Sequence, residues 1–279
     1  MDRCQQIERS IIKKYRKPIW NQFIGGLKDY QMIQAGDKIA VCISGGKDSF
    51  LLAKCLQELQ RHGSEVPFDL EYIVMDPGYR PENRKRIEEL LAEMQLPAHI
   101  FESPIFSVVE KQEGSPCYLC ARMRRGYLYR FAKELGCNKI ALGHHFDDVI
   151  ETVLMSMLYG AEMRTMMPKL HSLNFEGMEL IRPLYLVREK DISAWARYNE
   201  LEFVRCACSV TDSASEDFGS KRAEIKELLT QLRKTNSQID INIFRSAENV
   251  NLETIIGYRK GDTHVSFLDD YNGQPTTHT

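Results

Sequence analysis

Residues 39–49 read Ile-Ala-Val-Cys-Ile-Ser-Gly-Gly-Lys-Asp-Ser, and no other stretch narrows the fold so much. The apolar run Ile39–Ile43 predicts a strand buried on both faces, as in a parallel sheet. It ends in a hydroxyl, two glycines, an acid and a second hydroxyl, and an amphipathic helix from about Ser49 to Gln60 follows at once. A helix N-terminus presents backbone N–H groups without intrahelical partners and the positive end of its dipole. Directly after a strand and a glycine turn, it makes a phosphate-binding arrangement. Gly45 and Gly46 let an anion reach the backbone with no Cβ in the way. The plainer reading is a tight βα turn with glycines for geometry alone; the complete hexapeptide in a strand–turn–helix context favours the first.

The same alternation continues down the chain. Leu70–Met75 predicts a second strand ending at Asp76-Pro77-Gly78, and Arg84–Met94 an amphipathic helix. Ala98–Glu102 predicts a third strand, Tyr118–Leu135 a helix, Lys139–Leu142 a fourth strand and Asp147–Tyr159 the next helix. Ile181–Leu186 is expected as a further strand, with helices at Glu189–Asn199 and Glu216–Arg233. Strands alternating with helices imply right-handed βαβ units, hence an α/β, doubly wound parallel sheet with helices on both faces. Ligands of such sheets bind beyond the carboxyl ends of the strands, where Ser44, Asp76 and Gly143 fall. Residues 5–29 predict helices with a basic face (Lys13, Lys14, Arg16, Lys17), kinked at Pro18. From about Gly257 the chain reads as a frayed polar tail. The organisation expected is a helical segment over 1–35, a nucleotide-binding domain over 36–235, and a helix with a polar tail over 236–279.

A net charge of −2 means that a nucleic-acid partner has to be met by local patches. No apolar run of membrane-spanning length is present, and Met1–Gln5 does not start an apolar leader, so a cytoplasmic protein is expected. Eight cysteines in such a chain argue for metal or redox chemistry wherever they cluster, rather than a disulfide framework. Cys42 and Cys55 sit on an apolar strand and a helix, as core fillers do, and Cys4 and Cys137 stand alone. That leaves Cys117-x-x-Cys120 and Cys206-x-Cys208. By itself the first pair is a zinc half-site, an iron–sulfur half-site or a redox dithiol. Three thiolates from the two segments leave one position open, as a catalytic centre requires; a closed four-cysteine zinc site is the structural alternative. Arg122, Arg124 and Arg125 follow within a turn or so, where they lower thiol pKa values, grip anions or RNA backbone, or simply form a solvated face.

Ser44–Ser49 is similar to the signature of the PP-loop ATP pyrophosphatases; a Walker A loop needs four residues between its glycines and a Lys followed by Ser or Thr. With Pro116–Gly126, Leu142–Asp148, Glu151-Thr152 and Met167–Leu170 in order, most of residues 20–235 resembles the tRNA 2-thiocytidine synthetase (TtcA-like) family. The resemblance implies ATP-dependent adenylation of a cytidine base oxygen in the anticodon loop of tRNA. Sulfur then enters through a [4Fe-4S] cluster on three cysteines, with Mg2+ accompanying ATP. Carried over, Ser44, Gly45, Gly46, Asp48 and Ser49 form the phosphate loop, Lys47 adds charge beside it, and Asp76 and Gly143 line the nucleotide cleft. Asp147 and Asp148 are the acidic pair that holds Mg2+ or orients the base, with Asp48 and Cys208 also placed in the chemistry. Cys117, Cys120 and Cys208 are the cluster ligands; Cys206 stays as the alternative, because the family has C-x-x-C where this chain has C-x-C. The implied partners are tRNA and a sulfur donor such as a cysteine desulfurase or sulfide, with no membrane and with a homodimer left open. Candidate RNA contacts are Lys13 to Lys17, Arg122 to Arg125, Arg164 with Lys169, and Arg259 with Lys260. The competing readings are another PP-loop enzyme with a structural zinc, and a non-enzymatic nucleotide or redox sensor.

Overall fold

Strands β1 (Lys38–Ile43), β2 (Asp69–Asp76), β3 (Ala98–Glu102), β4 (Lys139–Ala141), β5 (Lys169–His171) and β6 (Glu179–Ile181) pair in one sheet in the order β3-β2-β1-β4-β6-β5. Every pairing is parallel except that of the edge strand β5 with β6. In the central strand, Val41 is flanked by Tyr72 on one side and Ala141 on the other. The computed structural model describes residues 2–63, 66–105, 116–204 and 216–271, with the side chains of 116–121, 216–220 and 270 outside that description.

Helices α1 (Arg3–Arg9) and α2 (Asn21–Asp29) precede the sheet, joined by two π-helical turns on either side of Tyr15. After β1 come α3 (Lys47–His62), α4 (Pro81–Glu93), α5 (Pro116–Glu134), α6 (Phe146–Gly160), α7 (Glu189–Tyr198), α8 (Glu216–Thr235) and α9 (Ile239–Ser246) in chain order. The continuous apolar runs of the strands are explained by burial on both faces. Ala40, Cys42 and Ile73 point into a cluster with Tyr129 and Ala132 of α5. Ile39, Val41, Ile43 and Val74 point the other way, into a larger core with residues of α3, α4, α6 and α7. Ile7, Ile11, Ile19 and Phe23 of the N-terminal helices belong to that second core, while Lys13, Lys14, Arg16 and Lys17 face solvent.

Two expectations fail. The strand expected at Ile181–Leu186 ends at Ile181. Pro183 has no N–H for a ladder, and residues 182–187 instead close turns through Tyr185 N–H to Arg182 O and Val187 N–H to Leu184 O. The tail read as frayed from Gly257 holds a hairpin of β7 (Gly257–Lys260) and β8 (Thr263–Ser266) followed by the short helix α10 (Phe267–Tyr271). Among the described residues, no helix is long and apolar enough to cross a membrane.

Candidate active site at the carboxyl edge of the sheet

The loop from β1 to α3 has the geometry of an anion cradle. Gly45 adopts φ +91°, and a Cβ there would stand 3.0 Å from Ile87 Cδ1, so both conformation and space demand glycine. Gly46 caps α3 with no side-chain acceptor for the first N–H groups, which leaves the helix end to an incoming anion. The loop is braced from within: Ser44 N–H donates to Ser49 Oγ at 3.1 Å, and Ser49 O–H donates to Gly46 O at 2.9 Å.

Neighbouring strand ends close around it. Asp76, buried at the end of β2, accepts from the N–H groups of Gly78 and Tyr79 and from Arg84 at 2.7 Å. Burial opposes its ionisation, but these donors hold its carboxyl below the usual range. Its role on the geometry is to fix the 76–79 turn, whose Tyr79 reaches Ser44 O. Gly143, after β4, lies against the first turn of α3; an added Cβ would be 3.0 Å from both the Asp48 carbonyl carbon and the Ser49 nitrogen. Gly143 therefore permits close backbone packing of the β4–α6 loop on the phosphate loop.

A closed circuit of charges surrounds this mouth. Lys47 Nζ lies 3.2 Å from Asp48 and 3.2 Å from Glu189. His145 Nε2 stands 3.9 Å from Asp48, and its Nδ1 3.4 Å from Asp148. Arg222 pairs with Asp148 at 2.8 Å and with Glu151 at 2.7 Å, and Lys226 closes the circuit between Glu151 and Glu189. Burial pushes the carboxyl of Asp48 up, with His145 and Lys47 opposing. Burial also pushes Glu151 up, against Arg222 and Lys226.

The consecutive acids of α6 part company. Asp148 faces His145 and the loop. Asp147 turns towards α7, accepting the Glu189 N–H at 2.8 Å and Arg233 at 2.9 Å. Adjacent helical positions point about 100° apart, so the divergence follows from the helix itself. Asp148 and Asp48 are then the carboxylates nearest each other across His145. Among the described residues no group of three or more His, Cys, Asp or Glu is arranged to hold a metal.

The backbone of residues 117 and 120 begins α5, while Cys206 and Cys208 and the side chains of Cys117 and Cys120 lie outside the described residues. Flanking residues are informative. Met123, one turn beyond Cys120, packs with Met75 near the carboxyl end of β2. Val204 N–H donates to Gly45 O at 3.2 Å, so the chain two residues before Cys206 is fastened to the phosphate loop. A surface hollow lined by Asp37, Gln60 and Phe68 lies at the amino edge of the sheet and carries none of this chemistry.

A family model described as a PP-loop domain matches residues 12–233. The tRNA-cytidine(32) 2-sulfurtransferase of Alcanivorax borkumensis is 38% identical over 255 residues, covering 89% of this chain and 86% of that protein. The enzyme of the same name from Geobacter sulfurreducens is 35% identical, covering 85% of this chain and 91% of its own length. The chain belongs to the tRNA-cytidine(32) 2-sulfurtransferase family. The U34-tRNA thiolase NcsA from Methanococcus maripaludis, solved with its [4Fe-4S] cluster, superposes with a TM-score of 0.66. At 24% identity, covering 86% of this chain and 80% of that one, it establishes a shared fold.

Arg222, Glu189 and Glu151 of this candidate site come from elements far from the loop in sequence. Glu151 stands in a stretch the sequence singles out; nothing in the local pattern marks Arg222 or Glu189.

Proposed function

We infer that this chain thiolates cytidine in tRNA at the expense of ATP, at position 32 as its relatives' name states. The observation that carries the reading is the hydrogen bond from Val204 to Gly45, which fastens the segment leading to Cys206 and Cys208 onto the nucleotide cradle.

In this reading the phosphates of ATP lie over Gly45, Gly46 and the N-terminus of α3, with Lys47 alongside. Asp48 and Asp148 take Mg2+, while Asp147 holds α7 and, through Arg233, α8 in place. The cytosine O2 attacks the α-phosphorus, the bond to the β-phosphate oxygen breaks, and pyrophosphate leaves with its charge neutralised by Mg2+ and Lys47. A poor leaving oxygen is thereby converted to an AMP ester. A sulfur nucleophile forms the C2–S bond, the C2–O bond breaks, and AMP departs. Thiols on Cys117, Cys120 and Cys208, with Cys206 the alternative, are a soft donor set suited to iron–sulfur ligation. A [4Fe-4S] cluster would be held by these thiolates and would supply the sulfur. A cysteine desulfurase or free sulfide replenishes the sulfur.

Digestion of total tRNA from a strain lacking this gene tests the reading. The expected result is loss of 2-thiocytidine, restored by the wild-type gene and not by one carrying Cys120→Ser; unchanged 2-thiocytidine in the deletion strain removes it.

A further inference from the structure

Beside the phosphate loop, the ends of β4 and β6 enclose polar atoms that the chain leaves without partners. Leu142 N–H donates to Ile181 O at 3.0 Å, so the two segments stay paired to this point and then diverge. His144 follows β4 and Arg182 follows β6. His144 Nδ1 and Arg182 Nε are buried with no hydrogen-bond partner. Arg182 is only 9% exposed, and its position is fixed by Nη1 donating to Met167 O and its backbone N–H donating to Pro168 O. Tyr185 braces the same stretch through its O–H to Met166 O at 2.8 Å. Met167 itself stands exposed and offers an apolar surface at the rim.

Burial and the nearby Arg182 push His144 down to about 4, so its imidazole is neutral at physiological pH and offers one donor and one acceptor nitrogen. Burial brings Arg182 down to about 10, where it remains a cation. Native proteins rarely leave such atoms unsatisfied, and a buried donor without a partner on an anchored guanidinium calls for one from outside the chain, as a ligand or water supplies.

We propose that Arg182 and His144 read the Watson–Crick edge of the target cytosine and set the choice of cytosine over uracil. The proposal rests on the thiolation reading and deepens it. With O2 turned to the phosphate loop for attack, N3 and the N4 amino group face away from the nucleotide, towards the ends of β4 and β6. Arg182 Nε–H donates to N3, and the imidazole lone pair accepts from N4. Uracil reverses both: its N3–H meets the Arg182 donor and its O4 meets the imidazole lone pair. Arg182 has no lone pair to offer, whereas the imidazole can present either nitrogen, so Arg182 carries the larger share. Buried sites of this kind reject a wrongly paired substrate by about 10⁴-fold.

The test uses the anaerobically reconstituted full-length protein with ATP, sulfide and two tRNAs differing only in cytidine or uridine at the target position. Wild type, Arg182→Lys and His144→Phe are compared for kcat/KM of thiolation, ATP affinity and Tm. Arg182→Lys is expected to lower kcat/KM on the cytidine tRNA about 100-fold and to narrow the cytidine-to-uridine ratio about as much; His144→Phe is expected to do so about tenfold. ATP affinity stays within about twofold in both. A third tRNA, bearing a 2-pyrimidinone nucleoside that lacks the N4 amino group, reads the His144 contact in unaltered protein and is expected to react about tenfold more slowly. Variants that fold, bind ATP and keep the wild-type ratio overturn the proposal, as does full reactivity of the 2-pyrimidinone tRNA. A wild-type protein that thiolates neither natural tRNA overturns the functional reading instead.

Discussion

The phosphate loop and the ends of β4 and β6 share one edge of the sheet, and the chain pairs the charged groups of the first far more extensively than the buried polar groups of the second. Around the loop, Lys47, Asp48, His145, Asp148, Arg222, Glu151, Lys226 and Glu189 contact one another in a closed circuit. At the ends of β4 and β6, His144 Nδ1 and Arg182 Nε have no hydrogen-bond partner, as is also true of Asp48 Oδ1 within the circuit. The difference teaches how each region meets its ligand. A polyanion such as ATP rearranges a paired set: it takes Lys47 from the acids, and its metal takes the acids. A neutral base brings no charge to drive rearrangement, so the groups that read it must stand ready and unsatisfied. The first region is robust and switchable; the second is precise at the expense of stability.

The largest expected effect tests which acid belongs to the circuit's chemistry. Asp148→Asn is expected to lower turnover about 100-fold or more, with Tm near wild type and a higher Mg2+ requirement; an unaltered Mg2+ dependence breaks the assignment. Next is the seam joining the two regions. Gly143→Ala forces a methyl group against the Asp48–Ser49 backbone and is expected to destabilise the fold by about 2 kcal/mol and weaken ATP binding about tenfold. Calorimetric titration with a non-hydrolysable ATP analogue reads both regions at once, and undiminished affinity would separate the β4–α6 loop from the nucleotide.

A pH series sharpens the contrast from the other side. Burial holds His144 neutral, and Arg182, Arg222 and His145 reinforce this while Asp148 opposes it. Its folded pKa of about 4 lies below the ordinary 6.5, so the unfolded chain binds more protons between these values. The contribution of the neutral form is complete above about pH 6.5 and is lost as pH falls towards 4, amounting to about 3 kcal/mol. Denaturant unfolding between pH 7 and 4 is expected to show this slope in wild type and a flatter one in His144→Asn; parallel slopes contradict it. The smallest effect is expected from Asp147→Asn. It weakens the cap on α7 and the pair with Arg233, costing about 1 kcal/mol in unfolding while changing ATP affinity less than Gly143→Ala does.

The parallel core and the phosphate loop were legible because each has a local cause. Strands buried on both faces must be apolar throughout, helices that cover them must be amphipathic, and an anion-binding turn needs glycine where φ is positive. Elements without a one-sided core contact left no such trace. The edge strand Lys169–His171 is short and polar at both ends, and the hairpin at Gly257–Ser266 buries little on either face, so the first was assigned no element and the second read as a frayed tail. Ile181–Leu186 was overextended because apolar content continues through a turn that Pro183 and Arg182 enforce. Within the site, the loop residues and the acidic pair could be named in advance. Their partners Glu189, Arg222 and Arg233 could not, since only the tertiary fold brings α7 and α8 over the β1–α3 loop. The separation of Asp147 from Asp148 was available from helical geometry alone, once α6 was placed.

The central claim is that one cavity both activates the cytosine oxygen and replaces it. Anaerobic single-turnover reaction of the reconstituted protein with tRNA, sulfide, Mg2+ and ATP, followed by nucleoside mass spectrometry, tests it most directly. The account predicts one AMP and one pyrophosphate for each 2-thiocytidine formed. Pyrophosphate and AMP released with tRNA that gains no sulfur, or thiolation without ATP cleavage, would contradict it.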